Sequence, residues 1–232
     1  FVSDQDPSLV IASLARAVAS TTDPAAVYSA VAEAAVTTFG ATAARVWIDE
    51  PSTGSLVAVG SFGVGPEVEQ VLMDAVRLPY GVGLPGRIFA SRQPEFISDA
   101  RSDPRWVNSR YIQALGIQGY AGIPLVVAEQ MMGVLSILFD RYRVFTESEE
   151  TLGGILADYA AITVRVVQLY DERRRADALE AVNLLARSTA HEINSPLTVV
   201  FGNLDLAARE LGDDARAAVR IARIRDAAER VA

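Results

Sequence analysis

Apolar and polar residues follow two periods along the chain, and these periods predict most of its elements. Between residues 43 and 139, short runs rich in valine, isoleucine, alanine and aromatic residues have the character of half-buried or buried strands. This pattern predicts strands at residues 43–49, 55–62, 95–98, 118–126 and 131–139. The polar residues 51–54 join the first two strands into a hairpin, and the turn at residues 128–130 joins the last two.

Segments with helical periodicity precede these strands and lie between them. It predicts helices at residues 7–20, 24–39, 66–76, 87–91 and 110–115. Asp23 and Pro24 supply an N-cap and a first-turn proline for the second of these helices, and Gly40 supplies its C-terminal stop. Strands flanked by helices predict an α+β fold with an antiparallel sheet.

A long helix is predicted after the last strand. Thr146 and Glu149 have the spacing of a capping box, and neither glycine nor proline interrupts residues 155–195. A first apolar seam runs through Leu152, Ile155, Tyr159, Ile162, Val166 and Leu169. A second runs through Leu179, Val182, Ala186, Thr189, Ile193, Pro196, Val200 and Leu204. Steps of three and four residues predict that each seam packs against partner helices.

The two seams are out of register by three residues, and the break coincides with the charged run 171–175. One interpretation is a solvated stretch of helix. The other is a signalling joint, where rotating or sliding one segment changes the register of the other.

A helical hairpin completes the pattern. The long helix is predicted to end near Leu211, and Gly212, Asp213 and Asp214 start a second helix. Its apolar positions are Ala217, Val219, Ile221, Ile224, Ala227, Ala228 and Val231. A two-helix hairpin cannot bury both of its apolar stripes alone. We therefore expect a homodimer in which two hairpins form a four-helix bundle and the linker helices form a parallel coiled coil.

Composition narrows the classes of partner and cofactor. The 232 residues carry a net charge of −8, which argues against nucleic acid as a direct partner. The absence of cysteine excludes disulfides, zinc–thiolate sites and thioether-linked chromophores, and no metal site is predicted. No apolar run reaches the roughly 20 residues of a membrane-spanning helix. No signal peptide opens the chain, so we expect a cytoplasmic protein without a membrane span.

Short motifs through the first two thirds carry a family resemblance. They are the glycines of residues 81–86, Pro94 with Ile97 and Asp99, residues 103–105, 116–117, 123–125, 133–135 and 145–147. Together they resemble a GAF domain, over residues 8–166. The glycine motif precedes a helix and could hold a phosphate, but it lacks the Gly-Lys-Ser/Thr ending of a P-loop. We therefore interpret it as a tight turn that docks the helix onto the sheet.

The only histidine, His191, lies in the second seam region but points away from the seam. A zinc-protease helix would need a second histidine four positions later, where Ser195 stands. Glu192, Asn194, Ser195 and Pro196 follow it, and a proline within a helix costs about 3 kcal/mol and bends it. This stretch resembles the H-box of sensor histidine kinases, which belongs to their dimerisation and histidine-phosphotransfer domain.

The resemblance implies a role for each H-box residue. His191 would accept the γ-phosphoryl group of ATP and pass it to an aspartate of a response regulator receiver domain. Glu192 would act as general base or fix the tautomer of the imidazole, and Pro196 would kink the helix. Ser195, where the family usually has threonine or asparagine, and Asn194 are candidates for assisting the phosphatase reaction.

The ATP-binding motifs of that family do not follow in the 232 residues. We expect ATP and Mg²⁺ to be used through a separate catalytic domain of the same kinase, so that this chain does not autophosphorylate alone. The first residue is Phe1, which we interpret as the start of a piece of a longer protein. No cofactor is expected in the piece itself.

The ligand of the GAF-like domain is not determined by the sequence. A histidine-ligated haem within residues 8–166 is excluded, and so is the Asn-Lys pair of cyclic-nucleotide GAF domains, because there is no lysine. The candidate pocket residues are the aromatics Trp47, Phe62, Tyr80, Trp106, Tyr111 and Tyr120. Their spacing fits either a ligand cage or a hydrophobic core.

The predicted organisation has three parts. They are a GAF-like sensor domain at 8–166, a coiled-coil signalling helix at 167–185 and a dimerisation and phosphotransfer hairpin at 186–232. The function we expect is that of the sensor and phospho-acceptor core of a two-component histidine kinase. The alternatives are a non-catalytic GAF dimerisation scaffold and a pure ligand-binding regulator.

Overall fold

The computed structural model describes residue 12 and residues 23–65, 77–101, 103–105, 116–210 and 215–229. It divides into two compact units, Phe1–Asp171 and Glu172–Ala232. The helices predicted at 7–20, 66–76 and 110–115 and the helix break at 212–214 lie outside the described residues, apart from Ala12, which is helical.

The elements follow one another in the predicted order. They are α1 (Pro24–Phe39), β1 (Ala43–Glu50), β2 (Ser55–Phe62), β3 (Arg77–Pro79), α2 (Gly83–Ser91), β4 (Glu95–Ile97), β5 (Gly119–Val127), β6 (Gln130–Phe139), α3 (Glu147–Glu210) and α4 (Ala215–Glu229). The three-residue strand β3 was not predicted. The helix α2 was predicted to begin at Arg87 but begins four residues earlier, at Gly83.

One antiparallel sheet organises the first unit. Its strand order is β3-β2-β1-β6-β5-β4, and every pair of neighbours is antiparallel. This confirms the predicted α+β fold. The hairpins β1–β2 and β5–β6 are local, whereas the central pairing of β1 with β6 joins segments far apart in sequence, with Arg45 opposite Ser136.

The predicted caps are present. The Asp23 side chain accepts a hydrogen bond from the Ala25 N–H at 3.1 Å, and α1 ends at Gly40 with φ +56°, where glycine avoids the strain of the left-handed region. At the start of α3, the Glu149 N–H donates to the Thr146 hydroxyl at 3.3 Å and the Thr146 N–H donates to the Glu149 carboxylate at 3.1 Å. This reciprocal pair is a capping box.

Helices α1 and the first part of α3 cover one face of the sheet. Helix α1 approaches the sheet closely at Gly60, where an added Cβ would lie 2.5 Å from the Tyr28 carbonyl carbon. Helix α3 approaches it closely at Gly153, where an added Cβ would lie 2.7 Å from Ile123 Cδ1. The largest cluster of buried apolar residues fills this interface.

The side of α3 that meets the sheet differs from the predicted first seam. The buried residues of this segment are Gly153, Leu156, Ala157, Ala160, Ala161, Thr163, Val164 and Val167. The seam residues Ile155, Tyr159 and Ile162 are 36–53% exposed in the single chain. The seam is therefore open to a partner, and its coiled-coil role stays a prediction.

The described residues contain one segment, Glu147–Leu185, with the length and composition of a membrane-spanning helix. Its most apolar window has a mean hydropathy of 1.3, and 44% of that window is buried. The buried part is the side that packs on the sheet. Core helices of soluble proteins meet the same criteria, so the segment is weak evidence for a membrane span.

The second unit is helical wherever it is described. An ion pair between Arg225 and Asp205 joins the remainder of α3 to the helix α4, and within this unit Leu204 and Ala228 are both 9% exposed. Pro196 lies inside α3, as the sequence requires. Whether two such hairpins form a four-helix bundle stays a prediction.

Candidate functional site

The opposite face of the sheet, covered by α2, holds a second and smaller core. Its buried members, which we call the α2-face cluster, are Ala43, Trp47, Leu56, Leu84, Ile88, Ala100, Ile117, Tyr120, Val134 and Leu138. The helix α2 inserts Leu84 and Ile88 into the cluster. Strands β1, β5 and β6 supply Trp47, Tyr120 and Val134.

The glycine motif positions α2 against the sheet. The Gly81 N–H donates to the Gly86 carbonyl at 2.9 Å, and an added Cβ at Gly86 would lie 2.6 Å from the Pro79 carbonyl oxygen. The absence of a side chain at Gly86 lets the helix approach this turn. This geometry bears out the interpretation of the motif as a docking turn.

The structure brings together two of the six predicted pocket aromatics. Trp47 and Tyr120 are 9% and 1% exposed and belong to the α2-face cluster. Phe62 is 38% exposed and pairs with Ala44, whose side chain lies on the α1 face. Trp106 and Tyr111 lie outside the described residues. A pocket role for the six aromatics stays a prediction.

Tyr80 lies at the rim of the cluster. Its ring stacks on Phe89 of α2 with a centroid distance of 4.7 Å, and its hydroxyl donates a hydrogen bond to the Asp49 carboxylate. Partial burial, together with the hydrogen bond to Asp49 and its negative charge, raises the pKa of Tyr80 to about 12. The phenol is therefore neutral at physiological pH and ties the start of α2 to the end of β1.

Two hydroxyl groups lie close together within the apolar cluster. The Tyr120 hydroxyl and the Ser136 hydroxyl lie 3.1 Å apart, within hydrogen-bond distance. The Tyr120 ring folds over Gly122, where an added Cβ would lie 2.7 Å from the ring carbon Cε1. Gly122 thus provides the space that lets a buried tyrosine reach the neighbouring strand.

Arg45 is a buried charged residue beside this pair, and the sequence analysis missed it. It is 6% exposed, it lies directly opposite Ser136 on the neighbouring strand, and its guanidinium carbon is 5.5 Å from the centroid of the Trp47 ring. The signal that could have identified it is strand alternation. Residues 43, 45 and 47 share one face of β1, so Arg45 stands between two apolar residues of the α2-face cluster.

Trp47 contributes a second donor. Its indole Nε1 is buried and has no hydrogen-bond acceptor among the residues that the structure describes. Indole N–H groups that are buried normally have a partner, because leaving a donor unsatisfied costs about 1–3 kcal/mol. This atom therefore marks a polar position within the cluster.

Ion pairs order the segment that follows β4. The Arg105 guanidinium contacts the Glu95 carboxylate at 2.6 Å and the Asp103 carboxylate at 2.5 Å. The hydrogen bond from Arg105 lowers the pKa of Asp103, against the opposing effect of burial. Asp99 pairs with Arg101 at 2.7 Å, and this hydrogen bond lowers the pKa of Asp99 to about 2. The carboxylates of Asp99 and Asp103 therefore stay ionised well below neutral pH.

The H-box lies in the second unit, on the helix α3. His191 is helical, and its side chain lies outside the described residues. Glu192, Asn194, Ser195 and Pro196 are exposed on the helix. Because Pro196 has no N–H, the Glu192 carbonyl lacks its usual helical donor, and the Thr198 hydroxyl donates to the Asn194 carbonyl at 2.8 Å. The roles assigned to these residues stay predictions.

Comparison with solved structures finds chains of similar fold. The GAF domain of a phosphoenolpyruvate-protein phosphotransferase (ptsP) from Coxiella burnetii is 20% identical, with a TM-score of 0.60 over 72% of this chain and 96% of that one. A free methionine-R-sulfoxide reductase from Neisseria meningitidis, solved with its substrate, is 19% identical, with a TM-score of 0.56 over 73% and 97%. The A. aeolicus nlh2 GAF domain in an inactive state is 14% identical, with a TM-score of 0.55 over 69% and 96%. At these identities, the likeness shows the fold alone.

A family model identifies the fold more specifically. The GAF domain model matches residues 21–165, which is more than half of the chain. The protein therefore belongs to the GAF domain family, whose domains act as sensor and ligand-binding scaffolds in signal transduction. No curated protein matches the chain. The GAF domain confirms one part of the predicted resemblance, and the histidine-kinase part stays a prediction.

Proposed function

We propose that this chain is the sensor and phospho-acceptor core of a cytoplasmic two-component histidine kinase. The observation that carries the proposal is the position of the H-box on a helix that begins at the edge of the GAF domain. The helix α3 starts at the capping box after β6, and the same helix carries Glu192, Asn194 and Ser195 exposed to solvent. A phospho-acceptor must be reached in turn by a phosphoryl donor and a receiver domain, and an exposed helix surface meets that need.

The chemistry assigned to His191 follows from its side chain and its neighbours. A neutral imidazole nitrogen attacks the γ-phosphorus of ATP, an N–P bond forms, and the bond to the bridging oxygen breaks with release of ADP. Glu192 accepts a hydrogen bond from the other ring nitrogen and so leaves the attacking nitrogen unprotonated. The phosphoryl group then passes to an aspartate of a response regulator. ATP and Mg²⁺ are bound by a separate catalytic domain.

The proposed homodimer rests on apolar surface that one chain leaves open. In the second unit, Leu179, Val182 and Leu185 are 62–67% exposed, although they belong to the predicted second seam or lie beside it. In the first unit, Ile162 and Leu169 of the first seam are 53% and 47% exposed. A second copy of the chain would bury both seams in one parallel assembly.

The decisive experiment is phosphorylation of the chain by a catalytic domain supplied in trans. The 232-residue protein is incubated with labelled ATP, Mg²⁺ and the separately purified catalytic domain of the same kinase. We expect an acid-labile, base-stable label that is lost in His191→Gln. Glu192→Gln should slow the labelling by about 10²-fold, the lower end of general acid–base contributions. Glu180→Gln, a matched change of an exposed glutamate on the same helix, should not.

Two outcomes would contradict the proposal. The first is a folded dimer that takes up no label. The second is a label that survives in His191→Gln. The first result would favour the alternative function of a non-catalytic GAF dimerisation scaffold, for which the exposed seam of α3 is the supporting observation. The second would show that a residue other than His191 takes up the phosphoryl group.

A further inference from the structure

We infer that the α2 face of the GAF sheet binds a small organic acid, whose carboxylate is held by Arg45 and Trp47 beside the Tyr120–Ser136 hydroxyl pair. This deepens the proposed sensor function by naming the class of ligand. The inference rests on four polar groups that stand together inside an otherwise apolar cluster.

The register of three strands places these groups side by side. Arg45 of β1 is the direct partner of Ser136 of β6, and Ser136 is the direct partner of Gly122 of β5. Tyr120 reaches over Gly122 to bring its hydroxyl within 3.1 Å of the Ser136 hydroxyl. Directly opposed residues of an antiparallel pair have Cβ atoms about 4.5–5.5 Å apart, so the Arg45 and Ser136 side chains start as neighbours.

Trp47 is two residues further along the same face of β1. The Arg45 guanidinium carbon lies 5.5 Å from its ring centroid, so cation and indole are in contact range. The indole Nε1 is buried without an acceptor among the described residues, in a side chain that is 9% exposed. An acceptor on a bound molecule would satisfy this atom, for which the described residues supply none.

The hydrogen-bond donors of these four residues indicate that the ligand is negatively charged. The Trp47 indole has one donor and no acceptor. The Arg45 guanidinium has five N–H donors and no acceptor, so Arg45 can hold an additional anion beside any partner that it already has. Ser136 and Tyr120 each bring a hydroxyl that can donate. A carboxylate can accept hydrogen bonds from the planar guanidinium and from other N–H donors at the same time. A neutral ligand of the same shape makes weaker hydrogen bonds to these donors, because it carries no charge.

Apolar neighbours limit the size and character of the rest of the ligand. Leu84, Ile88 and Val134 belong to the same cluster and are 0–1% exposed. A short aliphatic or single-ring acid could place its body against such residues while its carboxylate meets the donors. The family of ligands is thus small organic acids, in contrast to nucleotides or metal complexes.

The test uses nuclear magnetic resonance of the 232-residue protein labelled with ¹⁵N-tryptophan. The chain has two tryptophans, so two indole N–H peaks are expected, and Trp47→Phe assigns them. The probes are benzoate and succinate, and the matched neutral probes are benzamide and succinamide. We expect at least one acid to move the Trp47 peak downfield, as hydrogen bonding to the indole requires, while its amide binds about ten- to a hundredfold more weakly.

Arg45→Gln should weaken binding of the acid by a similar factor and leave the amide unchanged. Arg77→Gln removes an exposed arginine of β3, which pairs with Glu50 at 2.8 Å, and should leave both unchanged. If Arg45→Gln does not fold, the comparison of acid with amide on the parent protein decides alone.

The inference is overturned if neither acid moves the Trp47 peak, if the amides bind as well as the acids, or if folded Arg45→Gln binds the acid as the parent does. The experiment involves no phosphorylation. His191→Gln should bind the acid normally, so failure of the ligand assignment and failure of the phospho-acceptor assignment are separate results.

Discussion

The contact between α1 and the sheet at Gly60 gives a prediction whose size can be worked out. In Gly60→Ala, the new Cβ would lie 2.5 Å from the carbonyl carbon of Tyr28, 2.6 Å from its Cβ and 2.8 Å from the Ser29 nitrogen. Carbon atoms pack at about 3.5–4.0 Å, so α1 would have to move away from the sheet by about 1 Å. Because the obstructing atoms are mostly backbone, no side-chain rotation can relieve the overlap.

Two effects oppose each other in this variant. A gap of about 0.5–1 Å forfeits a quarter to a half of the attraction of each contact, and α1 buries Val31 and Ala35 completely against the sheet. Overpacking therefore costs about 3 kcal/mol, the upper end of its usual range. Replacing a strand glycine by alanine returns about 0.5–1 kcal/mol of chain entropy. The GAF domain should lose about 2 kcal/mol of unfolding free energy.

Urea unfolding followed by tryptophan fluorescence measures this loss. Trp47 and Trp106 both lie within the matched GAF region 21–165, so the signal reports the stability of that domain. With a slope of about 2 kcal/mol per molar urea, the midpoint should fall by about 1 M. Gly154→Ala is the control, because nothing lies within 4 Å of the added Cβ, and its midpoint should rise. An unchanged or raised midpoint in Gly60→Ala would refute the packing argument.

Three further predictions concern other parts of the chain. Gly122→Ala should displace the Tyr120 ring and break its hydrogen bond to Ser136. In the urea unfolding assay it should lower the unfolding free energy by about 1–3 kcal/mol, and a stability equal to that of the parent protein would contradict this. Burial alone would raise the pKa of Glu149, but hydrogen bonds from Thr146 and Arg143 lower it below the ordinary value of 4.5. The ionised carboxylate therefore stabilises the folded protein fully above about pH 4.5, and this stabilisation is lost as the pH falls through the folded pKa. Glu149→Gln should therefore be less stable at neutral pH and lose less stability on acidification, and an unaltered pH profile would oppose it. Pro196→Ala should raise the melting temperature of the helical hairpin, because it removes the cost of about 3 kcal/mol of a proline inside a helix. It should also slow phosphorylation of His191 if that reaction needs the helix kink. An unchanged melting temperature would show that the helix tolerates the proline without strain.

The sequence determined the elements whose signals are local. Asp23 and Gly40 bound α1 because a carboxylate satisfies free N–H groups and glycine adopts a positive φ. Thr146 and Glu149 begin α3 for a similar reason, since each caps the backbone of the other. The long strands and the two hairpins that they form follow from apolar runs and short turns. These are interactions between residues a few positions apart, so the sequence displays them directly.

The choice between the two faces of α3 was made by tertiary packing. Both the large residues of the predicted seam and the small residues beside them recur at helical spacing. The sheet selected the stripe that contains these small residues together with Leu156 and Val164. A residue without a side chain, such as Gly153, allows a close approach to strands that already carry large side chains such as Ile123. Periodicity identifies a stripe, but it does not tell which stripe a particular surface can accommodate.

The candidate ligand site likewise depends on tertiary structure. The sequence singled out Trp47 and Tyr120 as aromatics but gave no reason to join them to Arg45 or Ser136, which are far apart along the chain. Pairing of β1 with β6 placed Arg45 opposite Ser136, and the space over Gly122 brought the Tyr120 hydroxyl to the same point. Such neighbours come from strand register between distant segments, which no local period encodes. Caps, turns and helical repeats could thus be derived from the sequence alone, whereas the set of side chains that faces a ligand was decided by the sheet.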